Sequence, residues 1–259
     1  MSTLKILKYQ LQDVLRSRWV LFYTGFFWLV TDALFRFGGT GERVVVSLMN
    51  VVLLVVPLVA IMLGVMFLYN SREYVELLLS QPIRRMSLFL GLYAGLTVPL
   101  SAGFAIGVVV PFLYHGGGEA ASLALLVATG VLLVFVFSAL AFFVALRTDD
   151  RIRGLGTGLV VWLFFAVLYD GLVLLTVVLL SQYPLEKPVI AMSLLNPVDL
   201  GRILLLLKLD ISALMGYTGA VFQRFFGSGS GQAITVAALL AWVGVPFLLG
   251  RRAFLNKNF

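Results

Sequence analysis

No cysteine occurs in this sequence, so disulfides and thiolate metal sites are excluded within the chain, and the redox compartment is left open. Histidine is nearly absent as well. His115 stands alone, and one histidine supplies neither the paired axial ligands of an intramembrane haem nor the ligand set of a zinc protease. No glycine precedes a lysine anywhere, which removes a P-loop of the G-x-x-x-x-G-K-[ST] type. Charge is scarce too: 12% of the 259 residues are charged, against about 25% in a soluble domain. What fills the space is apolar, 61% of the chain. This is the composition of an all-α integral membrane protein, and the length fits one polytopic domain, 1–259. The net charge of +7 reads as the lysine and arginine that membrane proteins gather in cytoplasmic loops, not as a nucleic-acid footprint. Polar residues interrupt the first nineteen positions every few residues, which is not the pattern of a cleavable signal peptide.

Crossing the hydrocarbon core takes about 20 apolar residues. Six stretches qualify, near 19–37, 44–69, 88–114, 120–146, 157–181 and 232–250. Alternate connectors are basic: Lys5, Lys8, Arg16 and Arg18; Arg72, Arg84 and Arg85; Arg147, Arg151 and Arg153; Arg251, Arg252 and Lys257. The opposite connectors "GGTGER" and "HGGGE" hold one arginine between them. The positive-inside rule then places both termini and the loop at 70–87 in the cytoplasm. Residues 1–18 set Leu4, Leu7, Leu11, Val14 and Leu15 opposite Lys5, Lys8, Gln12 and Arg16, a helix lying in the membrane interface or packed on the spans.

Inside the spans, Gly91, Gly95, Gly103 and Gly107 recur at multiples of four, a winding stripe suited to close helix packing. Pro57, Pro99 and Pro246 read as kinks. The outer segment 182–231 is far longer than a turn. Within it "NPVDLGRILLLLKLD" predicts a helix capped by Asn196, with Pro197 first, Asp199 in the first turn and Lys208 near the end. It is too short to cross, so it reads as re-entrant or interfacial, with Asp199 and Arg202 facing outward. "ISALMGYTGAVFQRFF" predicts a second such helix, released by a flexible "GSGSGQ".

Polar chemistry inside the membrane is sparse. Asp32 can pair with Arg36 one turn on. Asp170, in "VLYDGLVLL", is deeper and has no cation in its own helix, so it is either a functional acid or an interhelical hydrogen-bonding group. Met62 and Met66, one turn apart, are soft-metal thioethers or, more simply, core packing. "GLGTG" near residue 154 lacks a preceding strand and carries no nucleotide reading.

"REYVELLLSQPIRR", residues 72–85, puts five charges and a proline between two membrane-length segments. It predicts a short cytoplasmic helix with Val75, Leu78 and Leu79 on one face and Glu73 and Glu76 on another. Too short to reach the bilayer alone, it needs a protein groove, and its rigid attachment to two spans suits it to pass on a push. "ELLLSQPIRR" followed by "LFLGLYAG" resembles the loop of ABC-2 type transporter permeases, where a helix of the form E-L-L-L-x-x-P-x-x-R contacts the ATPase subunit. Glu76, Leu77, Leu78, Leu79, Pro82 and Arg85 occupy the motif positions, with Glu73 beside them. The chain departs from the family at Glu73-Tyr74, where the family has Gly-Thr, and at Leu92, where it has Lys.

"LLNPVDLGRI", "LYDGLVLL" and "GVPFLLGRRAF" are most similar to NosY-type permeases of nitrous oxide reductase maturation. That resemblance implies a homodimer in the bacterial inner membrane. Its partners would be membrane lipids, a cytoplasmic ABC ATPase carrying the ATP and Mg, and a periplasmic beta-helical protein serving copper-site assembly. This chain would then be no enzyme and would hold no cofactor or metal. An ABC-2 exporter of lipid, drug or polysaccharide, or a mechanical transmitter that passes no solute, are the alternatives.

Overall fold

The computed structural model describes residues 18–37, 40–80, 83–116, 120–179, 186–208 and 229–257. Among these no strand occurs. The order is α1 (Arg18–Arg36), α2 (Gly41–Asn70), α3 (Arg72–Leu79), α4 (Arg85–His115), α5 (Ala120–Arg147), α6 (Arg151–Leu163), a π-helical turn (Phe164–Leu168), α7 (Tyr169–Leu179), α8 (Glu186–Leu194), α9 (Pro197–Lys208) and α10 (Gly229–Asn256). Among the described residues five helices are long and apolar enough to cross a membrane: α2, α4, α5, α6 to α7 taken through the π turn, and residues 233–256 of α10. A sixth is reached only if α8 and α9, bent by 109° between them, count as one broken span.

The first span expected at 19–37 stands apart from these five. Residues 18–36 do form a 19-residue helix, but α1 is not among the five. Arg18, Asp32 and Arg36, together with its threonines and tryptophans, dilute its apolar character.

α5 lies at the centre, packed against α2, α4, α6, α9 and α10. About half of the apolar stretch in α2, α4 and α5 is buried, but only 6% of that in α6–α7. Leu159, Val160, Val167, Leu174 and Val178 of that span all face outward. Between helices in lipid the hydrophobic effect contributes little, so fit decides. Gly103 and Gly107 supply the fit for α1: a Cβ on Gly103 would lie 2.5 Å from Thr24 Oγ1, and one on Gly107 2.7 Å from the Thr24 carbonyl oxygen. An aromatic cluster of Phe89, Tyr93, Phe142, Phe247 and Phe254 joins α4, α5 and α10. Pro57, Pro99 and Pro246 all lie inside helices, as does Pro111. Gly116, in the left-handed region at φ 64°, ends α4.

Helix ends sort onto two faces. One face gathers α3, the start of α4, the turn at 148–150 and the end of α10. The opposite face gathers the ends of α1 and α4, where Tyr114 donates to Asp32. The interfacial helix expected at 1–18 and the helix at 211–226 lie outside the described residues, apart from Arg18, which opens α1. The flexible linker expected at 227–232 is corrected in part: from Gly229 onward it is already helix.

Candidate functional site

At the α3 face the chain turns once, at Ser71, and starts a new helix. Ser71 Oγ donates back to the Phe67 carbonyl and its own carbonyl accepts from Val75 N. α3 then buries Val75 and Leu78 against the main core, with Tyr74, Leu79 and Ile83 packed beside them. This corrects the expected docking face. The chain itself supplies the groove for Val75 and Leu78, because eight residues leave the helix resting on the ends of the spans. What faces outward is Glu73, Glu76, Ser80 and Leu77, the last 68% exposed. Pro82 lies outside the described residues.

Arg85 is exposed, yet its Nη1 donates to the carbonyls of Leu255 and Lys257 at 2.9 and 3.1 Å. Lys257 in turn donates from Nζ to the Leu146 carbonyl at 3.0 Å and to Asp149 Oδ1 at 2.8 Å. The hydrogen bond from Lys257 holds the Asp149 carboxyl below its ordinary range. Arg72 closes the ring: it lies 4.3 Å over the Tyr69 ring and donates to the carbonyls of Thr148 and Asp149, each at 2.9 Å. Tyr69 Oη and Thr148 Oγ1 are 2.6 Å apart. Sequence reasoning used Arg72 and Lys257 only to orient the chain. Their positions next to span ends were the available signal.

At the other site, α8 and α9 meet at a bend held by three side chains. Asn196 caps α9 as expected, its Oδ1 accepting from Val198 N at 3.0 Å, while its Nδ2 donates to the Phe165 carbonyl at 3.0 Å. Phe165 sits in the π turn, which sequence reasoning missed; widening the helix there alters the carbonyl pairing, and Asn196 uses a carbonyl of that turn. Tyr169 Oη donates to the Met192 carbonyl at 2.7 Å, and Trp242 Nε1 to the Leu194 carbonyl at 3.2 Å.

Next to the bend, Arg202 Nη1 lies 2.7 Å from Asp170 Oδ2 and 3.2 Å from Asp199 Oδ1. Two expectations change here. Asp170 has its cation, brought from 32 residues further along the chain. Asp199 is buried and Arg202 turns inward, so neither is a freely projecting polar end. An unpaired carboxylate inside a membrane protein is expensive, which is the physical reason for the inward turn.

A third polar group ties α1 to α4. Asp32 Oδ2 pairs with Arg36 Nε at 2.8 Å, as expected, and Oδ1 accepts from Tyr114 at 2.6 Å. His115 stacks on Phe35 and approaches Asp32 to 3.7 Å. Met62 and Met66 line an apolar groove of about 330 Å³ with Trp19, Phe22, Tyr23 and Phe26. Among the described residues no group of three or more His, Cys, Asp or Glu is placed to hold a metal.

Residues 4–259 match the ABC-2 family transporter protein family. The chain is 31% identical, over 277 residues, to the "Probable ABC transporter permease protein NosY" of Pseudomonas aeruginosa, and 27% identical, over 274 residues, to the protein of that name from Stutzerimonas stutzeri. Each comparison covers 97% of this chain and 97% of the relative. With its apolar spans, its short α3 helix between α2 and α4 and a family match over nearly its whole length, the chain belongs to the ABC-2 transporter family, as an integral membrane permease subunit similar to NosY-type permeases.

Proposed function

We propose that this permease works as a homodimer that couples a separate cytoplasmic ABC ATPase, docked at α3, to a periplasmic beta-helical partner at the α8–α9 hairpin. The setting is the bacterial inner membrane, with both termini cytoplasmic and α1 counted as the first of six spans in one 1–259 domain. ATP and Mg belong to the ATPase; this chain holds no cofactor. The reading includes nitrous oxide reductase copper-site maturation, which rests on likeness to the two NosY relatives along 97% of their length.

The observation that carries the coupling reading is the exposed strip Glu73, Glu76, Leu77 on a helix whose first residue, Arg72, is held to the 148–149 turn and whose buried face rests on the core. A push on that strip cannot be absorbed by α3 alone. Leu79, half-buried, and Arg85 support the docking helix; Leu78 anchors it from behind. On the other face, Asp170, Asp199 and Arg202 hold the hairpin in position for its partner.

The test is affinity purification of the complex with Leu77→Asp. It should lower the co-purified ATPase about tenfold or more while the permease inserts and unfolds as before. Full ATPase content in the variant refutes docking at this strip. A lipid exporter is the second reading, favoured by the apolar groove between α1 and α2. ATP-driven lipid flux in vesicles that lack the periplasmic partner would establish it.

A further inference from the structure

α10 joins the two sites. Lys257, one residue past its end, is held to Leu146 and Asp149, and the backbone carbonyls of Leu255 and Lys257 are held by Arg85. Asp149, through its carbonyl, is also held by Arg72 of α3. Fifteen residues back along the same helix, Trp242 donates to Leu194 at the hairpin bend and stacks edge-on against Phe165 of the π turn, 5.2 Å between ring centroids. Phe165 is the residue whose carbonyl holds Asn196. One indole thus touches the α8 side of the bend directly and its α9 side by way of Phe165.

Depth makes the arrangement more specific. Fifteen helical residues span about 22 Å, so the bend lies well inside a hydrocarbon core about 30 Å thick. The α6 start gives an independent measure, since Phe165 is fourteen residues from Arg151, about 21 Å. Gly201 of α9 packs on Leu53, Thr129 and Leu133, residues in the half of α2 and α5 away from the α3 face. The far ends of α7 and α10 both point to that side. The pair therefore reads as a hairpin dipping in from the far face, whose bend comes within reach of a helix anchored at the near one.

We infer that the second half of α10 is a transmission rod, with Trp242 at its middle and Lys257 just past its end as the positioning residues: displacement of α3 and the 148–150 turn reaches the hairpin bend through them. Between the two residues Phe247 packs on Phe89 and Tyr93, and Phe254 packs on Phe89. With Trp242 held before Pro246 and these two rings after it, the stretch moves with α4 and α5. This rests on the coupling reading above, but its test does not involve either partner.

The experiment is amide hydrogen exchange on the full-length permease alone in lipid nanodiscs. The amides of Leu195 and Asn196, bonded to the Met192 and Ser193 carbonyls, report the bend. Lys257→Ala should speed their exchange about threefold or more, at a distance no local loosening of the 146–150 segment would reach. Lys257→Arg should restore the slow rate. Trp242→Phe keeps the aromatic ring and removes the donor; in that background Lys257→Ala should add nothing at the bend. Arg85→Gln, which frees the same strap from the other side, serves if Lys257→Ala does not fold. Unchanged exchange at the bend in both strap variants overturns the inference. So does a Lys257→Ala effect that persists in full on Trp242→Phe, since the route would then bypass the indole. Neither result bears on whether α3 docks an ATPase, which the Leu77→Asp purification decides separately.

Discussion

Arg202 holds two carboxylates, and its removal is the sharpest perturbation of the hairpin. Arg202→Gln leaves Asp170 and Asp199 facing a neutral amide. Breaking a fully buried pair by removing one partner costs about 3–5 kcal/mol. Here the Arg202 and Asp170 side chains are 29% and 33% exposed, so solvent relieves part of the loss, whereas the Asp199 side chain, 11% exposed, is relieved little. A cost of about 2 kcal/mol is the reasonable middle. For a chain of this size that lowers the unfolding midpoint by about 4–8 °C. Tryptophan fluorescence is a suitable assay, because Trp242 sits at the bend and the absence of cysteine rules out thiol-reactive dyes. Asp199→Asn combined with Arg202→Gln should recover much of the loss, since the more buried of the two stranded charges goes with its partner. If Arg202→Gln unfolds within 1 °C of the parent, or if the double variant is worse than either single one, the three groups are not the clasp described.

Three further outcomes follow from the same geometry. Gly107→Ala should destabilise the α1–α4 contact by about 1–3 kcal/mol, because the added methyl meets the Thr24 carbonyl oxygen at 2.7 Å and Phe27 Cβ at 2.9 Å; an unchanged thermal midpoint would show that α1 is free to move away. In the cysteine-free background, Phe37→Cys should react with an impermeant reagent added outside and Ile152→Cys should not, and the reverse labelling overturns the orientation. The Lys257 bond holds Asp149 low, so its contribution is present above the ordinary carboxylate pKa and lost as pH falls through the lowered one. Exchange in the 146–150 segment should accordingly show no Asp149-dependent change between pH 8 and 5, and loosen only below about pH 4, compared with Asp149→Asn. A transition near neutral pH in that comparison would refute the assignment.

Several features were already legible from residues a turn apart or less. Asn196-Pro197 announces a helix start, and the structure caps α9 there. Asp32 and Arg36 are neighbours on one helix and pair. Long apolar runs demand helices in lipid, because each backbone group must be satisfied within its own segment. These are local rules, complete within three or four positions, so the sequence alone determines an all-helical membrane chain with a short amphipathic helix near residue 75.

Local rules say nothing about which face meets which. The Val75–Leu78 face was visible, but only the packed spans show that the chain covers it itself and leaves Leu77 for a partner. α1 kept its helix but not its place among the clearly apolar spans. Asp170 finds Arg202 across 32 residues, Arg72 finds Thr148 across 76, and Lys257 finds Leu146 across 111. The π turn at Phe164–Leu168 has no residue signature of its own and is recognised by its place beside Asn196. Such contacts depend on the close approach of whole helices, set by small residues such as Gly103 and Gly107 and by the shape of the core, and that approach exists only once the tertiary structure has formed.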